Sequence, residues 1–286
     1  MLTKNAILND PARSRLDCYI YDAPLAYRND YLAPAVIICP GGGFIELSPR
    51  EAEPVALSYF AEGCAAFVVH YPVGESGAEF PKGLLALAAA VAHVREHADE
   101  YHINPARISV CGFSAGGHIA ASLACEWNRE EIYGTLNTQA GNIKPNAAII
   151  CYAVIDLEQQ YHYPQDDFRG RIQKETESMF RRLLGNGPRH AAQKDSAALQ
   201  KQVTPSTSPC FIWHTVDDKT VHVMNSIVFA EALAKNGVPF DLHIYRTGLH
   251  GLALANGITQ TRPGDVNRTC AEWIARSKEW LNALYP

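Results

Sequence analysis

The sequence has little net charge and no long apolar run. Its 286 residues carry a formal net charge of -5 at pH 7, and lysine and arginine form no basic block. A nucleic-acid surface or a polybasic membrane anchor needs clustered positive charge, so neither is expected. No run reaches the roughly eighteen apolar residues of a membrane span, and residues 1–10 contain no signal-like apolar segment. We therefore expect a cytoplasmic protein with no membrane or nucleic-acid partner.

Cysteine spacing typical of metal sites is also missing. The chain has 8 cysteines but no Cys-x-x-Cys pair, so the cysteines do not predict a structural zinc site. Cys39, Cys111, Cys151 and Cys210 each lie within or at an end of an apolar, strand-like run. This placement is typical of small buried side chains in a reducing compartment rather than of disulfides. We expect neither a metal ion nor an organic cofactor.

Apolar strand-like and helix-like segments alternate along the chain. An apolar content of 47% with 19% charged residues fits a globular enzyme, and we expect residues 1–286 to form a single α/β domain rather than two small ones. The alternation predicts a mostly parallel sheet covered by helices on both faces. The predicted strands are 16–21 at the sheet edge, 35–39, 65–70, 108–111, 147–155, 210–214 and 240–245. The predicted helices are 49–62, 81–101, 115–124, 174–184, 222–236 and 270–284.

The pentapeptide Gly112-Phe-Ser-Ala-Gly116 stands between the fourth predicted strand and a helix of small residues. A G-x-S-x-G pattern is the signature of a nucleophile elbow, in which a tight strand-to-helix turn exposes a serine hydroxyl. The pattern alone is weak evidence, because about one chain in ten of this length contains it by chance. The strand before it and the helix after it supply the required context. We therefore predict that Ser114 is a nucleophile.

Three consecutive glycines follow the strand that ends at Cys39. One interpretation is a flexible turn. The other is a loop whose bare N–H groups bind an oxyanion, because ligands of open α/β sheets lie beyond the carboxyl ends of the strands. The serine elbow favours the second interpretation.

A serine nucleophile needs an imidazole base, and the base needs an acid that orients it. Ser114, Asp218 and His250 each lie in a loop just after a predicted strand, in the chain order of α/β-hydrolase triads. His214 is expected to be buried at a strand end, and His118 to be a packing residue or to support the site indirectly.

The segment 157–209 is polar and too long for a plain connection between two core strands. We interpret it as a cap inserted over the active site, with aromatics such as Tyr161 and Phe168 shaping the substrate pocket. A surface insertion without a role in catalysis is the alternative.

Six segments carry a resemblance that spans most of the chain. The sequence resembles the small α/β-hydrolase esterases related to acetylxylan and feruloyl esterases. The matching segments are Cys39-Pro-Gly-Gly-Gly-Phe44, Arg50-Glu-Ala-Glu-Pro-Val55, Gly112-Phe-Ser-Ala-Gly-Gly-His118, Tyr152-Ala-Val-Ile-Asp156, Trp213-His-Thr-Val-Asp-Asp218 and Gly248-Leu-His-Gly-Leu-Ala-Leu254.

The resemblance implies an α/β-hydrolase fold and a triad of Ser114, Asp218 and His250. It also implies that the backbone N–H groups of Gly42, Gly43 and Ala115 form the oxyanion hole. Relatives place the acid three residues before a valine, which favours Asp218 over Asp217 because Val221 follows at that distance.

The predicted function is a serine carboxylesterase for short acyl esters, in particular acetyl groups on a sugar or small oligosaccharide. An amidase, arylformamidase or peptidase with the same triad is the alternative. A non-catalytic binding protein is disfavoured because all three triad residues are present. The expected partner is a small-molecule ester, and the sequence leaves a homo-oligomer open.

Overall fold

A computed structural model describes residues 1–22, 32–75, 77–162, 169–185 and 197–285 of the chain. Its centre is an eight-stranded sheet with the order β1-β2-β4-β3-β5-β6-β7-β8. Strand β2 is antiparallel to both β1 and β4, and the other neighbouring pairs are parallel. The strands are β1 (Leu2–Ile7), β2 (Arg15–Ile20), β3 (Ala33–Cys39), β4 (Ala65–His70), β5 (Ile103–Phe113), β6 (Ala147–Cys151), β7 (Cys210–Thr215) and β8 (Phe240–Tyr245).

Helices follow most of the strands. They are α1 (Glu53–Phe60), α2 (Lys82–Glu96), α3 (Ala115–Glu126), α4 (Glu130–Thr135), α5 (Ala140–Ile143), α6 (Leu157–His162), α7 (Arg169–Leu184), α8 (Met224–Lys235) and α9 (Trp273–Leu284). Short 3-10 turns cover Pro49–Glu51, Leu199–Lys201 and Cys270–Glu272. No described helix is both long enough and apolar enough to cross a membrane.

The sheet separates two hydrophobic cores. Successive side chains of a strand point to opposite faces, so Ile37 packs into one core while Val36 and Ile38 pack into the other. Buried residues of α2, α3 and α8 belong to the first core, and those of α1 and α9 to the second. Burial on both faces explains why the central strands are continuously apolar. The predicted α/β architecture, with a mostly parallel sheet and helices on both faces, is confirmed.

Several predicted boundaries are wrong, and the first concerns the sheet edge. The strand predicted at the edge, now β2, is the second strand, because β1 pairs with its outer side. Four of the six residues of β1 are exposed, so its sequence carries little strand signal. The short helices α4 and α5 were not predicted either.

Three more corrections concern where predicted elements begin or end. The strand predicted over 147–155 ends at Cys151, because Tyr152 has a φ of 38°, which extended backbone does not allow. The helix predicted over 81–101 ends at Glu96, and His102, with a φ of 55°, then turns the chain into β5. The helix predicted over 49–62 is a 3-10 turn followed by α1.

All eight cysteines lie in the described part of the chain, where each is a buried free thiol. Burial raises the pKa of the Cys39, Cys151 and Cys210 thiols well above the usual value. Thiolates are therefore disfavoured at these positions, and the side chains act as small apolar groups. The predicted burial of Cys39, Cys111, Cys151 and Cys210 is confirmed.

Candidate active site

Ser114 lies at the turn between β5 and α3, near the carboxyl ends of the parallel strands. Its φ is 50°, and the residue is mostly buried, with 9% of its surface exposed. Such a φ is rare for a residue with a side chain and stores backbone strain at this turn. The flanking glycines are required sterically. A Cβ on Gly112 would lie 2.3 Å from the carbonyl oxygen of Gly116, and one on Gly116 would lie 2.1 Å from that of Cys39.

The structure brings the three predicted triad residues together. His250 Nε2 lies 2.9 Å from Ser114 Oγ, and His250 Nδ1 lies 2.7 Å from Asp218 Oδ2. The N–H groups of Thr220 and Val221 donate to the other oxygen of Asp218 at 2.8 and 3.0 Å. The backbone of Val221, three residues after the acid, thus helps to hold the Asp218 carboxylate in place.

Asp217 has a different partner. Its Oδ1 accepts a hydrogen bond from the N–H of Gly248 at 2.6 Å, which ties the loop after β7 to the loop that carries His250. Of the two adjacent aspartates, Asp218 is therefore the one in contact with the imidazole.

A second histidine contacts the Asp218 carboxylate. His214, fully buried at the end of β7 as predicted, places Nε2 3.3 Å from Asp218 Oδ2 and 3.0 Å from the Val221 carbonyl oxygen. Its Nδ1 lies 2.8 Å from Ser226 Oγ. Because Nε2 faces two acceptors, Nε2 carries a proton. The sequence predicted the burial of His214 but not this contact.

The charges of the buried pair shift both of their pKa values. Burial alone raises the pKa of Asp218, but His250 and His214 lower it by more, so the net pKa is below its usual range. Burial alone lowers the pKa of His250, but the charge of Asp218, the hydrogen bond to it and the charge of Glu51 leave the net pKa raised. Asp218 is therefore ionised near neutral pH, and His250 is the group that titrates.

Gly42 and Gly43 line the same cavity as Ser114, and Ala115 follows the serine directly. In the loop after β3, the carbonyl of Gly41 accepts from the N–H of Ser48, and that of Gly42 accepts from the N–H of Ile45. The N–H groups of Gly42, Gly43 and Ala115 donate to no group in the described ranges of the chain. Gly42 has a φ of 125°, a conformation open to glycine.

Two residues that contact the glycine loop or His250 were not predicted from the sequence. Glu51 is buried and accepts hydrogen bonds from the Gly41 N–H at 2.9 Å and the Tyr152 hydroxyl at 2.7 Å. Tyr152 packs its ring against that of His250, with 5.1 Å between the centroids. Both residues lie in segments that carried the resemblance, which was the available signal.

His118 lies on α3 beyond the serine and is fully buried. Its Nδ1 lies 2.9 Å from the Val154 carbonyl oxygen, and burial lowers its pKa to about 4. The side chain is therefore neutral and joins α3 to the segment after β6, which agrees with the expected packing role.

A cavity of about 510 Å³ opens over Ser114. Its floor contains Ser114, His250 and the glycine loop, and α7 forms part of its wall. The α7 residues in the wall are Lys174, Ser178, Met179 and Arg182. Arg182 also reaches the loop, with Nη1 3.4 Å from the carbonyl oxygen of Gly43. No group of three or more potential metal-ligating side chains occurs among the residues that the structure describes.

Only part of the predicted cap can be compared with this cavity. Helices α6 and α7 belong to it, and the N–H of Phe80 anchors α7 to the protein body by donating to the Leu183 carbonyl at 2.7 Å. Phe168 and the side chain of Tyr161 lie outside the described residues.

A sequence profile of the BD-FAE family matches residues 20–233, from β2 to α8. The chain belongs to the BD-FAE family. The match includes Ser114 and Asp218, and His250 follows after its end. The predicted relationship to α/β-hydrolase esterases is thereby confirmed.

This BD-FAE member is similar to a curated xylanase and to two solved hydrolases. An endo-1,4-β-xylanase B of Butyrivibrio fibrisolvens is 30% identical over 80% of this chain. The solved acetyl ester-xyloside bifunctional hydrolase of Caldicellulosiruptor lactoaceticus shares 31% identity and a TM-score of 0.77, over 96% of this chain and 89% of that one. The carboxylesterase Cest-2923 of Lactobacillus plantarum shares 28% identity and a TM-score of 0.84, over 99% and 98% of the two chains.

The curated relatives are longer proteins. This chain spans only 34 to 45% of their lengths. The solved structures of esterases match it over nearly their whole chains.

Proposed function

We propose that the chain is a serine carboxylesterase that hydrolyses short-chain acyl esters. The observation that carries the proposal is the contact of His250 with both Ser114 Oγ, at 2.9 Å, and Asp218, at 2.7 Å, near three backbone N–H groups that have no partner among the described residues. Nucleophile, base and acid are thus within hydrogen-bond reach, which is the geometric requirement for acyl transfer through a covalent intermediate.

Acylation follows from these contacts. Ser114 Oγ attacks the ester carbonyl carbon while its proton passes to His250 Nε2. The carbonyl oxygen becomes an oxyanion, which the N–H groups of Gly42, Gly43 and Ala115 bind. Asp218 stabilises the imidazolium through Nδ1–H. The imidazolium then protonates the leaving alcohol oxygen, the ester C–O bond breaks, and an acyl-Ser114 ester remains.

Deacylation uses the same groups in reverse. A water molecule attacks the acyl-enzyme carbonyl and gives a proton to His250 Nε2. A second oxyanion forms at the same N–H groups and collapses to the free acid as Ser114 Oγ takes the proton back. The cycle consumes one water molecule per ester.

The acyl group that we propose is acetyl, and the alcohol is a sugar or small oligosaccharide. Two observations support this choice. The name of the Caldicellulosiruptor relative specifies an acetyl ester-xyloside hydrolase. The cavity, of about 510 Å³, is also walled by both apolar and polar side chains. Polar groups at fixed positions are what hydroxyl-rich ligands need.

The reaction class is tested with a pair of matched substrates. The purified protein is expected to hydrolyse 4-nitrophenyl acetate and acetylated xylo-oligosaccharides, and to hydrolyse 4-nitroacetanilide much more slowly. Faster cleavage of the anilide than of the ester would replace the esterase proposal by the amidase alternative.

We further propose that 157–209 covers the pocket as a cap. The support is the position of α7, whose buried Met179 lies in the cavity wall and whose Arg182 reaches the carbonyl of Gly43. The cap then limits the length of the acyl chain.

Met179→Ala is expected to widen the acyl specificity. The wild type should prefer acetyl over octanoyl esters, and the variant should raise the relative kcat/KM for octanoyl esters about tenfold, because side-chain volume has been removed from the wall. The measurement is kcat/KM for 4-nitrophenyl esters of two to eight carbons. Arg181→Ala, an exposed position on the same helix, is the control. An identical chain-length profile in both variants would show that this part of the insertion does not select substrates.

A further inference from the structure

Glu51 is a buried carboxylate with no ion-pair partner among the described residues. The residue is 3% exposed, and no lysine, arginine or histidine in the described part of the chain forms an ion pair with it. Its neighbour Arg50 pairs with Asp265 instead, at 3.0 Å. Burial of an unpaired carboxylate is costly, and only hydrogen bonds offset the cost here.

One oxygen of Glu51 holds the glycine loop. Oε2 accepts the Gly41 N–H at 2.9 Å, and the Gly41 carbonyl accepts the Ser48 N–H at the same distance. Both backbone groups of Gly41 are therefore fixed, directly before the unpaired N–H groups of Gly42 and Gly43. The orientation of those two N–H groups depends on this anchor.

The other oxygen is linked to the loop that carries His250. Oε1 accepts the Tyr152 hydroxyl at 2.7 Å, and the same hydroxyl oxygen accepts the Ala253 N–H at 3.0 Å. Because the tyrosine oxygen already accepts from Ala253, its proton points to Glu51. Ala253 lies three residues after His250, and the tyrosine ring packs against the imidazole at 70°.

We propose that Glu51 is a positioning residue of the active site, an inference that rests on the proposed esterase function. Its carboxylate joins the oxyanion loop, through Gly41, to the histidine loop, through Tyr152 and Ala253. Oε1 also accepts from the hydroxyl of Tyr152, whose ring packs against the imidazole with 5.1 Å between the centroids, so the carboxylate favours the imidazolium that forms in each half of the reaction.

Other charged or titratable groups near His250 must be separated from this effect. Asp218 contacts Nδ1, and Tyr152 packs against the ring. The Arg262 guanidinium donates to the His250 carbonyl at 2.6 Å and opposes a positive charge on the ring. Lys174 and Arg182 of α7 line the same cavity, as does Glu46 of the glycine loop. The test therefore changes Glu51 alone.

Glu51→Gln is expected to change both the rate and its pH dependence. The amide oxygen can still accept from Gly41 and its NH₂ can face the Tyr152 oxygen, so the variant removes charge with little change in volume. Activity requires neutral His250, so kcat/KM falls as the pH drops through the pKa of His250. Without the carboxylate this pKa is lower, and the acid limb should move down by about half a pH unit or more. We expect kcat/KM at the optimum to fall about tenfold or more.

Glu53→Gln is the matched control. It removes the same charge two residues away, at an exposed position, and should leave rate and acid limb as in the wild type. An unshifted acid limb in Glu51→Gln, with thermal unfolding like the wild type, would overturn the proposal.

Two more variants keep the proposal testable if Glu51→Gln does not fold. Glu51→Asp retains the charge and should keep the acid limb near its wild-type pH while losing rate, because the shorter side chain cannot reach both partners. Tyr152→Phe retains the carboxylate and the ring but cuts the link to Ala253, so it should lower kcat without moving the limb down. A downward shift in either variant would contradict the assigned role of the charge.

Failure of this inference and failure of the proposed function give different results. A wild-type protein that hydrolyses no ester would refute the esterase proposal. An active wild type whose acid limb does not respond to Glu51→Gln would refute only the role of Glu51.

Discussion

Ser114→Ala is expected to lower kcat for 4-nitrophenyl acetate by about 10⁴-fold or more. The substitution removes the oxygen that attacks the carbonyl and leaves only binding and oxyanion stabilisation. The fold should persist, because His250 is the one hydrogen-bond partner of the removed hydroxyl among the described residues and the flanking glycines keep the backbone turn. The measurement is kcat under saturating ester, with thermal unfolding recorded in parallel.

Ser122→Ala is the control for this loss. Ser122 lies two turns further along α3, where its hydroxyl donates to the His118 carbonyl at 2.8 Å, away from His250. The control should keep near-wild-type kcat even if its stability falls slightly. Retention of more than about a tenth of wild-type kcat in Ser114→Ala would refute the assignment of the nucleophile.

Asp218→Asn is expected to lower kcat by about 10³-fold or more near neutral pH. The carboxylate accepts the Nδ1 proton of His250 and lies 3.3 Å from the protonated Nε2 of His214. The N–H groups of Thr220 and Val221 still require an acceptor, so the oxygen of the asparagine side chain faces them. The NH₂ group then faces the rings of His250 and His214. Nδ1 then becomes an acceptor, Nε2 keeps the proton, and the imidazole can no longer accept one from Ser114.

Asp217→Asn is the control that removes a negative charge without removing a contact to His250. It removes an equal charge one residue earlier, and the asparagine oxygen can still accept the Gly248 N–H. We expect at most a tenfold loss of kcat. The reverse ranking of the two variants would transfer the acid role to Asp217.

The residues predicted from local patterns are also those that meet in space. Ser114, Asp218 and His250 each follow a strand, and parallel strands bring their carboxyl ends to one edge of the sheet. Residue order and strand ends were therefore sufficient to predict that they converge. Their distances and the choice of rotamers required the folded chain.

Residues fixed by long-range contacts escaped prediction. Glu51 lies in a segment with a helical pattern, where a glutamate normally faces solvent. In the fold it is buried, and a hydrogen bond from Tyr152, 101 residues away, helps to offset the cost of that burial. Tyr152 itself lies in an apolar run that stays buried after β6 has ended, so hydrophobicity does not mark the end of the strand.

The strand at the edge of the sheet was also not predicted from the sequence. Strand β1 pairs residue by residue with β2, yet its side chains are mostly exposed. Its stability comes from backbone hydrogen bonds, which any sequence without proline can supply. An alternating apolar pattern is therefore weak there, and β2 was predicted to be the edge in its place.

Active-site labelling with a 4-nitrophenyl alkylphosphonate tests the central claim most directly. The reagent traps a serine nucleophile beside a base as a stable phosphonyl ester. Intact-mass and peptide analysis should find one phosphonyl group per chain, on the peptide that contains Ser114, with ester hydrolysis lost in proportion to labelling. Stoichiometric labelling of another residue, or full activity after Ser114 is labelled, would contradict the account.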